Sequence, residues 1–401
     1  MIELSAHTDA GARLVALAGG LADVLAARAG EHDRDGTYPF EAIDALKAAR
    51  YFAAPIPVHL GGLGVASAHD LVLASSRLAR GDASVAIGVN MHLVAVLNME
   101  RRREVAVGSG AERRARAFAW SLEQIARDGV VLAAAISEPG QDLTRPGTIA
   151  TRTPTGWRID GRKIFCTMSP AATDLYVAVT CADDDRYAYA MVPADAAGVT
   201  VNDDWDALGM RASGSNSVTF DGVELPENAV RGGFAAGDPL PYIERNLVAG
   251  LFHASASLGI AEAADAVAVR GAAARINGAA RPRMQIADNA VDLAAARAIL
   301  SRAAALIDEH RAANPAADGS ADELRALFAE AQAAKAFVNE AAARIVERSL
   351  ALSGGAGYVN GSSLARAYRD VRAATFMHPL GANRAYDYLA GVALGEAASL
   401  H

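Results

Sequence analysis

The pattern of apolar and polar positions divides the chain into three parts. Up to about residue 130 apolar residues recur at helical spacing: Leu14, Leu17, Leu21 and Leu25 mark one face of a segment over residues 9–29. Ser67 with Asp70 reads as a capping box opening a helix that runs to Leu78. Asp82 and Ser84 offer caps for another helix over residues 85–97, and the link PIPVHLGGLG is rich in helix breakers. Past Val130 the period shortens. VVLAAAI, LYVAVTC and YAYAMV read as strands, the last two joined by the turn Asp183, Asp184, Asp185. WRIDGRKIF reads as a hairpin with Asp160-Gly161 at its tip, and GVTV and SVTFDGVEL follow. Short strands with turns between them predict a small barrel or sandwich. Helical spacing then returns over residues 242–270, 285–310, 321–352 and 383–397. Ser320 and Glu323 box the third of these, whose apolar stripe is Leu324, Phe328, Ala331, Val338, Ala342 and Ile345. Four such helices predict a bundle. The expectation is an α+β chain: an N-terminal helical domain over 1–130, a β-barrel domain over 131–235 and a C-terminal helical bundle over 236–401.

Composition narrows the class. A chain of 401 residues, 52% hydrophobic and 21% charged, has the core of a folded protein and not the make-up of a disordered one. A net charge of −8 opposes nucleic acid and anionic membranes as general partners. Cys166 and Cys181 are too few for a disulfide scaffold or a zinc site, which suggests a reducing cytoplasm and no metal. The N-terminus lacks the basic and apolar stretches of a secretory signal. No segment is expected to reach the ~20 apolar residues of a membrane span.

Four motifs carry more specific information: ISEPG at 136–140, WRIDGRKIFCT at 157–167, LGMRASGSNSVTFDGVELPE at 208–227, and SGGAGY followed by ARAYRDVRA across 353–373. In order and spacing they resemble the acyl-CoA dehydrogenase superfamily over nearly the whole chain. The resemblance implies helical, β-barrel and four-helix-bundle domains, a flavin held between the last two, and a homo-oligomer, usually a tetramer. Carried over by position, Ser137 faces the flavin pyrimidine edge. Phe165 matches the aromatic that packs on the isoalloxazine, and the Cys166 backbone and Thr167 hydroxyl match the groups near flavin N5. Arg270 and the Gly354-Gly355 turn approach the cofactor's phosphate and adenine end. A redox ring needs such a flat apolar wall and a few donors to tune it.

Three departures from the pattern shape the functional expectation. The position of the dehydrogenases' base, a Glu, is His378 here. The Gly-Ser-Asp that helps hold a thioester arm is replaced by Gln141-Asp142-Leu143-Thr144, and RGAAARINGAARPRMQ lacks the Phe-Gly that grips FAD across subunits. Together they resemble the superfamily's flavin-dependent monooxygenase branch, group D. The implied activity is oxygenation, written as hydroxylation of carbon or nitrogen of a small molecule, by reduced FAD or FMN and O2. A separate flavin reductase would be a transient partner. Oxygen transfer needs a dry pocket, a hydrogen bond at N5 and a proton donor. Thr167 fits the second need, and His378 or His92 the third. The alternative is an acyl-CoA dehydrogenase with FAD in which Glu244 removes the α-proton. A flavin-free binding protein on the same fold is the remaining one.

Overall fold

The computed structural model describes residues 2–140, 142–273, 280–396 and 400. The first helices are α1 (Asp9–Asp35), α2 (Phe40–Ala48), α3 (Ala68–Ala79), α4 (Ala83–Gly108) and α5 (Glu112–Asp128). Leu14, Leu21 and Leu25 are buried on α1, as their spacing requires. Asp82 caps α4, its Oδ1 accepting from Ser84 N–H at 2.8 Å. The box at Ser67 is only half made. Asp70 N–H donates to Ser67 Oγ, but the Asp70 carboxylate turns away to accept from His7 N–H, Thr8 N–H and Thr8 Oγ1 at the start of α1.

Eight strands follow: β1 (Leu132–Ala135), β2 (Ile149–Thr153), β3 (Gly156–Cys166), β4 (Asp174–Cys181), β5 (Arg186–Pro193), β6 (Val199–Val201), β7 (Asn216–Pro226) and β8 (Val230–Ala235). They pair as one sheet in the order β6-β7-β3-β2-β4-β5-β8, with β1 parallel to β4. Asp160-Gly161 is not a hairpin tip. Strand β3 runs straight through it with a bulge against β7, and the β2–β3 turn falls instead at Pro154-Thr155. The Asp160 carboxylate is used across the sheet, accepting Gly222 N–H at 2.8 Å. Gly161 takes φ 152°, a value that favours glycine; a Cβ there would come within 2.8 Å of Thr148.

The chain ends in α6 (Pro239–Asn246), α7 (Ala249–Ala273), α8 (Ala280–Ala313), α9 (Ala321–Ser353), α10 (Gly355–Tyr358), α11 (Ser363–Asp370) and α12 (Ala382–Leu394). The helix expected over 242–270 is broken at Leu247-Val248. There Leu247 N–H reaches back only three residues, to Glu244 O, and Asn246 in the last turn of α6 donates its side-chain amide to Tyr242 O at 2.8 Å. Helices α7, α8 and α9 pack together, and α7 also packs on α3. One apolar core therefore runs unbroken from Leu14 and Leu71 to Phe252 and Phe328, while a second fills the sheet around Val177 and Val218.

Three helices do reach the length and mean hydropathy of a membrane span, contrary to expectation: residues 9–35, 83–108 and 239–273. In the second and third the apolar stretch is 83% and 94% buried inside the protein, and in the first 33%. The sequence reading underestimated them because Ala and Gly, apolar but small, fill the gaps between the large residues.

Candidate functional site

A cavity of about 350 Å³ lies where α4, β1, the end of β3, the loop 205–215, α7 and the segment 369–378 meet. Its rim is apolar and open: Phe165 is 59% exposed, Leu208 68% and Phe376 82%. Exposed apolar groups clustered around one cavity mark a ligand surface. Phe165 and Met210 line it with positive φ (55° and 52°), and Met168, next to the lining residue Thr167, has φ 70°. Side chains in this region cost about 1–2 kcal/mol each, so the surrounding fold holds them there. Trp205 meets Phe165 edge-on, 6.0 Å between centroids, and donates its indole N–H to Met210 O.

Ser137 sits on the opposite lip. Its carbonyl accepts Ile164 N–H at 2.9 Å, tying the loop after β1 to β3. Behind it the fully buried Lys163 donates to Glu138 at 2.6 Å and to Ile136 O. Burial pushes the Lys163 ammonium down to about 8, against the pull of Glu138. Burial also pushes the Glu138 carboxyl up, but Lys163 outweighs it and the net shift is downward. Ser213, Ser215 and Thr167 form a short hydroxyl chain, 2.7 and 3.0 Å long, in which Ser215 donates to Thr167. Thr167 Oγ1 in turn donates a long hydrogen bond, 3.4 Å, to Phe165 O.

His378 lines the cavity, 3.0 Å from Asn246 Oδ1 and 3.2 Å from Tyr242 Oη through Nε2. Asn246 donates its amide to Tyr242 O, so Oδ1 is the atom facing the ring. Nε2 therefore carries the hydrogen, and Nδ1 is the ring's acceptor. The loop beneath is held by Lys335, buried on α9, which donates to the carbonyls of Met377, His378 and Leu380. Burial first, and Lys335 second, push the imidazole down to about 3. His378 is thus neutral across the physiological range. Arg369 and Asp370 serve the architecture. Arg369 makes a bidentate pair with Asp33, and Asp370 accepts Met210 N–H at 2.6 Å.

The other expected residues do not join this group. His92 is buried away from the cavity with both nitrogens spent. Nε2 donates to Phe52 O and Nδ1 accepts Leu132 N–H, each at 3.0 Å. It joins α4 to β1 and cannot give up a proton without breaking that link. Glu244 is ion-paired to Arg102 at 2.6 Å and does not line the cavity. The Cys166 side chain points into the sheet core, where burial pushes its thiol up to about 12. Arg270 is exposed in the last turn of α7, and the Gly354-Gly355 turn has open space around it; none of the three lines the cavity. Gln141 and most of the RGAAARINGAA stretch (274–279) lie outside the described residues.

Sequence reasoning missed Trp205, Ser215 and His253. His253 lines the cavity, is 4% exposed, and neither ring nitrogen has a hydrogen-bond partner among the described residues. Its signal was present: in LVAGLFHASASLGI it is the only titratable side chain. No carboxylate of the described residues lines the cavity; its charged lining groups are Arg369 and Arg372.

A second cleft, about 230 Å³, opens further along α4 between α5, α6 and strands β4, β5 and β8. It is basic and aromatic. Arg245 lies over Phe234, 4.7 Å from the ring centroid, with Nη1 buried and unpartnered among the described residues; Arg114 and Arg231 stand beside it, and Arg102 is held by Glu244 and by Asp318, the cleft's one carboxylate among the described residues. Met91 of the cavity and Asn98 of this cleft are about 10 Å apart along the helix.

Three domain profiles match the chain: acyl-CoA dehydrogenase N-terminal domain over residues 16–101, middle domain over 133–223 and C-terminal domain over 251–379. The chain is 35% identical to L-evernosamine nitrososynthase of a Micromonospora species, over 97% of this chain and 91% of that one. It is 33% identical to amino sugar nitrososynthase DnmZ of Streptomyces peucetius, over 97% and 95%. Among solved structures it is similar to KijD3 in complex with FMN and dTDP-3-amino-2,3,6-trideoxy-4-keto-3-methyl-D-glucose. That match has a TM-score of 0.88 at 31% identity and covers 98% of this chain and 95% of that one.

Proposed function

Because the chain belongs to the acyl-CoA dehydrogenase family and is a flavin-dependent oxidoreductase, we propose that it oxygenates the amino group of a nucleotide-linked sugar, using reduced flavin and O2. The observation that carries this is the lining of the cavity: two imidazoles and two arginines, with no carboxylate among the described residues. Removal of a thioester α-proton calls for a strong, placed base. An amine needs only to be held unprotonated, and neutral imidazoles beside cations do that. The reading refines hydroxylation in general to nitrogen oxygenation, which the names of the relatives favour.

The residues fit a flavin. Phe165 and Phe376 offer apolar faces, and the hydroxyls of Ser137 and Thr167 offer polar contacts. Bound there in reduced form, a flavin would supply the two electrons with which O2 yields one oxygen atom to the substrate and the other to water. FMN is preferred over FAD because the KijD3 complex holds FMN and the adenosine-gripping motif is missing here. His378 Nδ1 accepts a hydrogen from the substrate. Tyr242, Asn246 and Lys335 hold that ring in place. The arginine-lined cleft takes the sugar's diphosphate, with planar guanidinium donors suited to phosphate oxygens. A separate reductase and a homotetramer in the cytoplasm complete the proposal.

The test incubates the chain with reduced FMN, O2 and dTDP-3-amino-2,3,6-trideoxy-4-keto-3-methyl-D-glucose. Hydroxylamine and nitroso products in the mass spectrum, absent without O2, are expected. Rapid dye reduction by any of a panel of acyl-CoAs, abolished in Glu244→Gln, would overturn the reading in favour of the dehydrogenase.

A further inference from the structure

The two arginines of the main cavity differ in what they already hold. Arg369, in the last turn of α11, is spent: its guanidinium pairs with both oxygens of Asp33 and also donates to Leu208 O. Arg372, just beyond that helix, has no hydrogen bond and no ion pair among the described residues; its guanidinium carbon lies over the Tyr368 ring, 4.7 Å from the centroid. It is half-buried, and none of its nitrogens is shut off from solvent. The cations around it are committed elsewhere. Lys335 is spent on three carbonyls, Lys163 on Glu138, and Arg344 on Asp292. Arg372 also stands at a junction, because it lines both the cavity and a second opening of about 350 Å³ between α9, the 371–380 segment and α12. A flavin ring finds apolar faces in the cavity, but FMN also ends in a phosphate of about two negative charges. Such a group is costly to bury in apolar surroundings and calls for a cation at the edge of the site. An unpaired guanidinium, with planar donors matched to phosphate oxygens, is that cation.

We propose that Arg372 binds the terminal phosphate of FMN. The inference rests on the reading that reduced flavin occupies the main cavity, and deepens it by naming the group that selects the phosphorylated cofactor. The site is separate from the arginine-lined cleft further along α4, which takes the substrate's diphosphate. A packing role is the alternative, in which Arg372 serves only by resting on Tyr368.

Photoreduced FMN and photoreduced riboflavin differ only in the phosphate, so titrating both under anaerobic conditions separates the two roles. Trp205, in the cavity wall, supplies a fluorescence signal. The wild type is expected to bind FMN about 10- to 100-fold more tightly than riboflavin, the range of one charge-assisted pair. Arg372→Gln should lose about that factor for FMN and keep its riboflavin affinity within about 2-fold. Arg372→Lys, a point charge without the planar fork, should recover part of the loss. Added salt should weaken FMN binding in the wild type and much less in Arg372→Gln. Equal affinity of the wild type for the two flavins, or unchanged FMN affinity in Arg372→Gln, would overturn the assignment. An equal loss for both flavins would also overturn it, in favour of packing against Tyr368. So would a loss of dTDP affinity in Arg372→Gln with FMN binding untouched, which would hand the residue to the substrate. If the wild type binds neither flavin, the reading that places reduced flavin in this cavity falls as well; if it prefers FMN and Arg372→Gln keeps that preference, only the role of Arg372 falls.

Discussion

His92 and His253 are both nearly fully buried, on two long helices that pack against each other, and they behave as opposites. At the α4–β1 junction every hydrogen-bonding position of the His92 ring is filled by a backbone group. At the α7 wall of the cavity neither nitrogen of His253 has a partner among the described residues. Burial alone does not tell how a histidine is used; the partners of its two nitrogens do. The His92 region uses an imidazole as a two-ended connector between a helix and a strand. The cavity region leaves imidazoles incompletely satisfied beside strained, exposed side chains. Such local disagreement with packing rules is expected where a fold serves a ligand.

The contrast can be broken or sharpened by experiment. The largest effect is expected at His378. His378→Ala should keep the fold and flavin binding but lose roughly 10²- to 10⁴-fold in amine oxygenation, with hydrogen peroxide released instead. Product formation at the wild-type rate without extra peroxide would remove His378 from the reaction. Next comes His92→Ala, which strands Phe52 O and Leu132 N–H and opens a void. Chemical denaturation should show a loss of about 3 kcal/mol, while the activity of the folded fraction stays within a few-fold of normal. A large fall in turnover with stability intact would return His92 to the active site.

Acidification should act on the same contrast. His92 and His378 have folded values pushed down to about 4 and 3, by burial above all. The unfolded chain binds their protons first, near pH 6.5, so their contribution to stability is complete above that pH. It falls as the pH drops toward 4, by up to about 1.4 kcal/mol per unit for each ring. Urea unfolding between pH 7.5 and 5 should show this slope in wild type and a shallower one in His92→Ala; equal slopes would refute the cause. The smallest effect on chemistry is expected from Glu244→Gln. It loosens the pair with Arg102 and should change amine oxygenation by less than about 3-fold. A change of 100-fold would put Glu244 back among the reacting groups.

Helix and strand periodicity, with the four motifs, was sufficient to read the order of helices, sheet and helices and the family to which it belongs. Those signals are local: a stripe of Leu at helical spacing, or a run such as LYVAVTC, needs no knowledge of what packs against it. The motifs also pointed to Phe165, Thr167, Ser137 and His378, which line one cavity. Where the reading failed, a distant partner decided. Asp160-Gly161 has the composition of a turn, yet β7 and Gly222 draw it into a continuous strand. The segment 242–270 reads as one helix, yet it is interrupted at Leu247-Val248, where Leu247 N–H turns back to Glu244 O. Above all, the sequence shows His92, His253 and His378 as three lone histidines in apolar surroundings. Only the folded chain brings Phe52 and Leu132 to the first, Tyr242 and Asn246 to the third, and, among the described residues, no hydrogen-bond partner to the second. A hydrogen bond depends on angstroms of separation between residues tens to hundreds of positions apart, and no local pattern encodes that.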